Sequence, residues 1–482
     1  MQTPMTNKSY DIIVIGAGSG GLSVGLTMNA LGFNVLMCAK SDKDIGGECL
    51  NDGCVPSKAF IHVSRLLHHA KTASQFGLLV DGKPDISKAL KYVHNRQEVI
   101  RKNENAGWLK DQGIAVELGE AKFTGKNEIE INTKSYKAKN IVIATGSKPH
   151  KFNVPGIEMV TYYDNENIFH AKDLPDTLLM VGAGPIGMEL AQALRRFDKK
   201  IIVVNHGDKI LEHDDERVTS ILLNQLKAEG IQFMMQASID HFTSPNEAVI
   251  QSKDGTKKTL QFDAIIVGIG REFILEPLQL HLAGVEVKDH KIIVDKQLRT
   301  TNKDIFVCGD VAGDLFFSHA AELHARILVN NFLSPIKKKL NNDHISWVTF
   351  TDPEIATFGL SEKQLKERKI NYETLEADFS HDDRAITDNY QFGKLVVFIR
   401  PNRFYRKQKI LGGTMVAPNA GELIQELILA NTSGLSIDAI FNKIYPYPTA
   451  SRINQHVIVN YKQKSITSGI KKLLRIAFQL FS

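Results

Sequence analysis

Cys49 and Cys54 are separated by four residues in GGECLNDGCVPSK (46–58), and the chain has only two other cysteines, Cys38 and Cys308. So few thiols make no disulfide framework. A close pair in such a chain points to redox chemistry or metal binding before scaffolding. No second Cys or His pair stands at zinc-ligand spacing, so metal binding is the weaker reading, and redox chemistry is favoured over a structural or inert pair. A thiolate is the attacking species in such chemistry, and a helix N-terminus lowers a thiol pKa. The run after Cys54 has helical character and carries Lys58.

The elements that would hold this pair are two repeated patterns. YDIIVIGAGSGG (10–21) is an apolar strand entering a Gly-rich turn, followed by a helical segment and a second strand, FNVLMCAK (33–40). The order recurs in LLMVGAGPIGMELAQALRRF (178–197) and KKIIVVNH (199–206). Each copy is G-x-G-x-x-G: Gly16, Gly18 and Gly21, then Gly182, Gly184 and Gly187. One copy is a weak signal; two in strand–turn–helix–strand context imply two dinucleotides. The first glycine permits the tight turn, the second lets backbone approach a pyrophosphate, and the third lets helix and strand pack closely. The helix N-terminus then faces the phosphate. NIVIATGSKP (140–149) ends a strand at Thr145 and Gly146, and DIFVCGD (304–310) delivers Asp310 to a strand's carboxyl end. Beyond about residue 344 the pattern changes to α+β.

Composition is that of a globular protein: 482 residues, 43% hydrophobic and 23% charged. The net charge of +5 equals the five cations Lys462, Lys464, Lys471, Lys472 and Arg475 near the C-terminus, so no general nucleic-acid surface is implied. No signal-peptide pattern or membrane-spanning apolar run is evident, which gives a cytoplasmic expectation. From 464 to 481, Ile466, Ile470, Leu473, Leu474, Ala477 and Phe481 share one helical face, opposite the cations. Such a tail suits peripheral contact with a membrane.

Taken together, the two fingerprints, the cysteine motif, ATGSKP, IFVCGD, FTDPEIATFGLSE (350–362) and GGTMVAPNAGELIQELILA (412–430) resemble the class I pyridine nucleotide–disulfide oxidoreductases. That family includes dihydrolipoyl dehydrogenase, glutathione reductase and mercuric reductase; DDRAI (382–386) is most similar to the mercuric-reductase-like branch. The resemblance implies an α/β fold with two Rossmann-type domains and a C-terminal α+β dimerisation domain. The expected divisions are 1–150 for FAD, 151–270 for NAD(P), 271–343 returning to the FAD/central domain, 344–462 for dimerisation, and 463–482 as the basic tail. It implies a homodimer that passes electrons from NAD(P)H through FAD to a Cys49–Cys54 disulfide. Cys54 would face the flavin and Cys49 the substrate. Lys58 and Glu189 would pair near the flavin's reactive nitrogen. Asp310 would bind the ribityl chain and His319 would lie at the pyrimidine edge. Gly47, Ala121, Thr145, Gly146 and Gly270 would line the cofactors.

Several positions depart from the family pattern. The acid that usually meets a ribose about 20 residues after the glycines is replaced by Ala39 and Asn205. Asp42 or Asp44 is the candidate substitute at the first site. Asn205, His206 and Lys209 would tolerate a 2′-phosphate, favouring NADPH. The family's His-Pro-x-x-x-Glu is here Tyr447-Pro448-Thr449-Ala450-Ser451-Arg452. An unperturbed Tyr titrates near ~10 and a His near ~6.5, so Tyr447 is a poor neutral-pH base. Glu48 stands where the family has Thr, and is expected to raise the Cys49 pKa and to pair with Arg452 of the partner subunit. The leading expectation is a thiol/disulfide acceptor of unknown identity. A metal-ion or quinone reductase is the first alternative; for Hg(II) the C-terminus, FQLFS, lacks the cysteine pair that mercuric reductases carry. A redox sensor at the membrane surface is the second.

Overall fold

A computed structural model describes residues 9–401 and 408–481. They form two compact units, one of residues up to 183, 193–206 and 232–341, the other of 184–192, 207–231 and 342 onward.

In the first unit, the run Ser9–Ile15 is a central strand because it is apolar nearly throughout; parallel strands covered on both faces require this. It pairs in parallel with Val35–Ala39 and Lys134–Ile143. Ala115–Leu118 extends one edge of the sheet. Glu128–Ile131 and Lys122–Gly125 add antiparallel strands on the other side. Ile305–Val307 comes back from far along the chain to pair in parallel with residues 141–143. Side chains such as Ile13, Val14, Leu36, Met37, Ile141 and Val142 are fully buried here. A second parallel sheet has Thr177–Val181 at its centre, between Lys200–Asn205 and Ala264–Val267. The expectation of two Rossmann-type sheets is met.

The second unit carries an antiparallel five-stranded sheet, in the order 346–349, 354–359, 410–417, 394–399, 373–378. Helices Gln425–Thr432 and Ile453–Lys464 pack on it through Leu427, Ala430, Val457 and Ile458. The chain then breaks at 465–467 before a last helix, Ser468–Phe481. The expected tail helix is therefore separated from Lys464, which ends the preceding helix.

Candidate active site

Two glycines of the first fingerprint, Gly16 and Gly21, leave no room for a side chain. Gly16 has φ +108°, and a Cβ there would sit 2.2 Å from the Ala144 carbonyl oxygen; one on Gly21 would sit 1.9 Å from that of Gly16. Gly47 has φ +60°, and its Cβ would come within 2.6 Å of Gly18 Cα. The backbone of the redox motif is thus pressed against the fingerprint turn, where helix Ser19–Ala30 begins. These glycines fit a dinucleotide pyrophosphate, which needs bare backbone and a helix N-terminus. Thr145 and Gly146 follow the adjacent strand Lys134–Ile143. Gly146 and Gly270 both have positive φ and open space around the Cβ position, while Ala121 is buried in the core. At the second fingerprint, Gly182 has φ +100° and a Cβ would meet the Gly268 carbonyl oxygen at 2.5 Å.

Cys49 lies in the short helix Gly47–Asn51, and Cys54 opens the long helix Cys54–Thr72. The buried Gln97 donates to the carbonyls of Leu50 and Asn51 at 3.0 and 2.7 Å, fixing the loop between the cysteines. Both thiols are reduced, Cys54 exposed and Cys49 half-buried. Accessibility therefore does not mark Cys49 as the outward thiol; that role rests on the family pattern. The Cys49 thiol donates to the Cys54 sulfur, which with burial pushes its pKa up; hydroxyls of Ser318 and Ser19 act the other way. Ser318 Oγ is also 3.6 Å from Cys54 Sγ. The helix N-terminus favours negative charge on Cys54, while the Cys49 proton is held more tightly than usual.

Glu48 corrects an expectation. Its carboxylate is held within its own chain, by both Nη atoms of Arg271 (Nη1 to Oε1, 2.6 Å) and by Asn165 Nδ2 at 2.7 Å. Arg271 Nε also donates to Ser147 Oγ at 2.6 Å, and Ser147 donates to Asp310 at 2.5 Å. The carboxylate is thus already paired with a cation of its own chain. Arg452 lies over the Tyr447 ring of the same chain at 5.3 Å.

Asp52, between the cysteines, faces His170 at 3.5 Å. Burial pushes its carboxyl up to about 6, against the pull of His170. Lys58 donates to Ser57 Oγ at 3.3 Å. Glu189 is 5% exposed and accepts from the Phe350 amide at 2.8 Å. His319 stacks on Phe317. Asp42 accepts from the Ala106 amide and Asp44 from Ser41 Oγ, so both carboxylates have structural partners. Asn205 Oδ1 accepts from the Ala183 amide at 3.2 Å, bracing the glycine turn, and Lys209 pairs with Glu216 at 2.5 Å.

Tyr447 is exposed, and its hydroxyl donates to Asp383 at 3.1 Å. That hydrogen bond and the Asp383 charge push the phenol's pKa above its ordinary value. Asp383 belongs to the DDRAI segment, whose Asp382 caps helix Asp383–Thr387 by accepting from the Ala385 amide at 3.0 Å. Sequence reading missed Arg271, Ser147, Asn165, Ser318, Ser19 and His170. Only Arg271 gave a local signal, as a cation directly after an expected cofactor glycine.

With this geometry in hand, comparison with known proteins assigns the class. Residues 10–326 match the pyridine nucleotide-disulphide oxidoreductase family and 345–457 its dimerisation domain. The chain belongs to this family: it is an FAD-dependent oxidoreductase using a pyridine nucleotide, and its dimerisation domain makes it a homodimer. It is 32% identical to a dihydrolipoyl dehydrogenase of Buchnera aphidicola over 93% of this chain and 95% of that one. It is 30% identical to a mercuric reductase of Bacillus cereus over 92% of this chain and 70% of that one. The flavoprotein disulfide reductase RclA of Escherichia coli shares the fold, with a TM-score of 0.82 at 23% identity over 94% of this chain and 99% of that one. Among the described residues no helix is long and apolar enough to cross a membrane.

Proposed function

We propose that this enzyme delivers electrons from the Cys49–Cys54 pair to a thiophilic metal ion, with NADPH as donor, and that it works at a membrane surface through its C-terminal helix. FAD, when bound, supplies hydride acceptance from the nicotinamide and onward transfer of the electron pair. Gly16, Gly18, Gly21 and Gly47 would cradle its pyrophosphate, and Asp310 would bind its ribityl chain. The chain's own residues do the rest. Cys54 carries negative charge at a helix N-terminus, while Cys49 holds the shared proton and presents a second sulfur. Two adjacent sulfurs chelate a soft cation, the one shared proton passing to solvent, and the dithiolate becomes the Cys49–Cys54 disulfide as its electron pair passes to the metal. NADPH is favoured because the second strand ends in Asn205 and His206 rather than a carboxylate.

The observation that carries the metal reading is the Tyr447–Asp383 hydrogen bond. Reducing an organic disulfide needs a proton for each leaving thiolate. General acid–base help is worth ~10²–10⁴-fold, and a phenol held by a carboxylate does not supply it near pH 7. A metal ion takes electrons without protons, and a mercuric reductase is among the relatives. A disulfide acceptor is the second reading, favoured by the nearly full-length match to a dihydrolipoyl dehydrogenase.

The test is NADPH and NADH oxidation by the holoenzyme with Hg(II), Cu(II), lipoamide and glutathione disulfide in turn. Metal-dependent turnover should vanish in Cys49→Ser and Cys54→Ser and survive in Tyr447→Phe. Lipoamide turnover should be ~10²–10⁴-fold below that of a relative with the His-Glu pair. Fast lipoamide turnover with no metal-dependent oxidation would overturn the metal reading.

A further inference from the structure

The last helix, Ser468–Phe481, is built unlike any surface helix that has only water to meet. At 3.6 residues per turn, Ile470, Leu473, Leu474, Phe478, Leu480 and Phe481 fall within one broad arc. Lys471, Lys472 and Arg475 fall in the remaining narrow one. The apolar side chains stand outward: Leu473 is 68% exposed, Leu480 73% and Phe481 89%. Soluble proteins rarely display so large a continuous apolar stripe without an occupant for it. The preceding helix, Ile453–Lys464, is anchored in the core by Ile453, Val457 and Ile458. Only three residues, 465–467, link that anchor to the last helix, and Thr467 starts it by accepting from the Lys471 and Ile470 amides.

Length and charge choose the occupant. The helix has 14 residues, about 21 Å at 1.5 Å per residue, too short for a hydrocarbon core of about 30 Å. It therefore fits lying in an interface rather than across one. No acid follows Asp438; Lys443 and Lys462 pair with Glu426 and Asp438, and Lys464, Lys471, Lys472 and Arg475 follow with no acid among them. This single-sign end complements a negative surface. We infer that the helix docks on anionic phospholipid, its apolar arc sunk among the acyl chains and its lysines at the headgroups. The inference rests on the membrane location proposed above and names the lipid class that provides it.

Sedimentation of the full-length holoenzyme with extruded vesicles tests this. One set is pure phosphatidylcholine and the other contains 30 mol% phosphatidylglycerol (a chosen composition, roughly enough to give a negative surface potential). Binding should be at least about tenfold stronger to the anionic set and fall as salt shortens the Debye length. Lys471→Gln with Lys472→Gln should weaken it about fivefold per charge removed. Phe478→Ser with Phe481→Ser should abolish it, and both pairs should retain flavin and NADPH oxidation. Equal binding to both vesicle sets would overturn the anionic-lipid inference while leaving the membrane location standing. No binding to either set, or equal binding by a chain ending at Gln463, would overturn the location itself. A higher oligomer that this truncation returns to a dimer would assign the arc to self-association and overturn both.

Discussion

Replacing Arg271 with Met removes the group that ties the redox helix to the strand ends. Its guanidinium meets Glu48 with both Nη atoms and Ser147 with Nε. Taking one partner from a buried ion pair costs about 3–5 kcal/mol. Glu48 is 27% exposed and Arg271 12%, so water recovers part of that loss and about 2 kcal/mol is the expected cost. Glu48→Gln keeps an acceptor for Asn165 but loses the charge, at about 1 kcal/mol. Both costs should appear as easier local opening of Gly47–Asn51, where the Asp52 amide donates to the Glu48 carbonyl at 2.8 Å. Hydrogen exchange of a peptide covering this segment is the assay, read where exchange reports the opening equilibrium. At about 1.4 kcal/mol per tenfold, Arg271→Met should speed exchange about 30-fold and Glu48→Gln about fivefold. Since the double variant no longer buries an unpaired charge, it should exchange no faster than Arg271→Met. Multiplicative behaviour, about 150-fold, would show that the two side chains act independently and would refute the clamp.

Other expectations follow from the same site. Asp52→Asn should stabilise the protein at pH 7. The folded carboxyl is raised to about 6 from about 3.9 in the unfolded chain, so native stability falls as pH rises through that window. The variant's gain in Tm should shrink below pH 6 and vanish near pH 4; a pH-independent gain would rule out titration as its source. Ser318→Ala removes a hydroxyl that lowers the Cys49 pKa. Alkylation of Cys49 in the reduced enzyme at pH 8, read by peptide mapping so that Cys54 is scored separately, should slow about threefold or more, the scale of one weak hydrogen bond, and an unchanged Cys49 rate would count against the contact. Tyr447→His with Arg452→Glu should raise lipoamide turnover at least about tenfold and leave metal-dependent oxidation within about twofold; no gain in lipoamide turnover would show that the missing base is not what limits it.

The electron-entry side was legible in the sequence because it is made of backbone. A glycine whose Cβ would strike Ala144 or Gly16 can be nothing else, so Gly16, Gly21 and Gly47 announce their geometry by type and spacing alone. Alternating strands and glycine turns likewise fixed two parallel sheets, since strands covered on both faces must be apolar throughout. Side-chain partnerships obey no such spacing. Glu48 meets Arg271, and Tyr447 meets Asp383, only after the sheets have formed, and a lone charge in the sequence does not say which distant opposite it will find. Glu48 and Arg452 both depart from the family pattern, which suggests pairing them across subunits, but the fold brings Arg271 to Glu48 within one chain. The consequence reaches function. With Glu48 neutralised inside its own chain, it does not restore the charge that Arg452 replaces. Asp383, for its part, holds the Tyr447 proton more tightly. Under the function proposed above, the Cys49 and Cys54 sulfurs suit a soft cation, while Tyr447, its proton held by Asp383, suits no leaving thiolate, which is why the acceptor proposed is one that needs no proton.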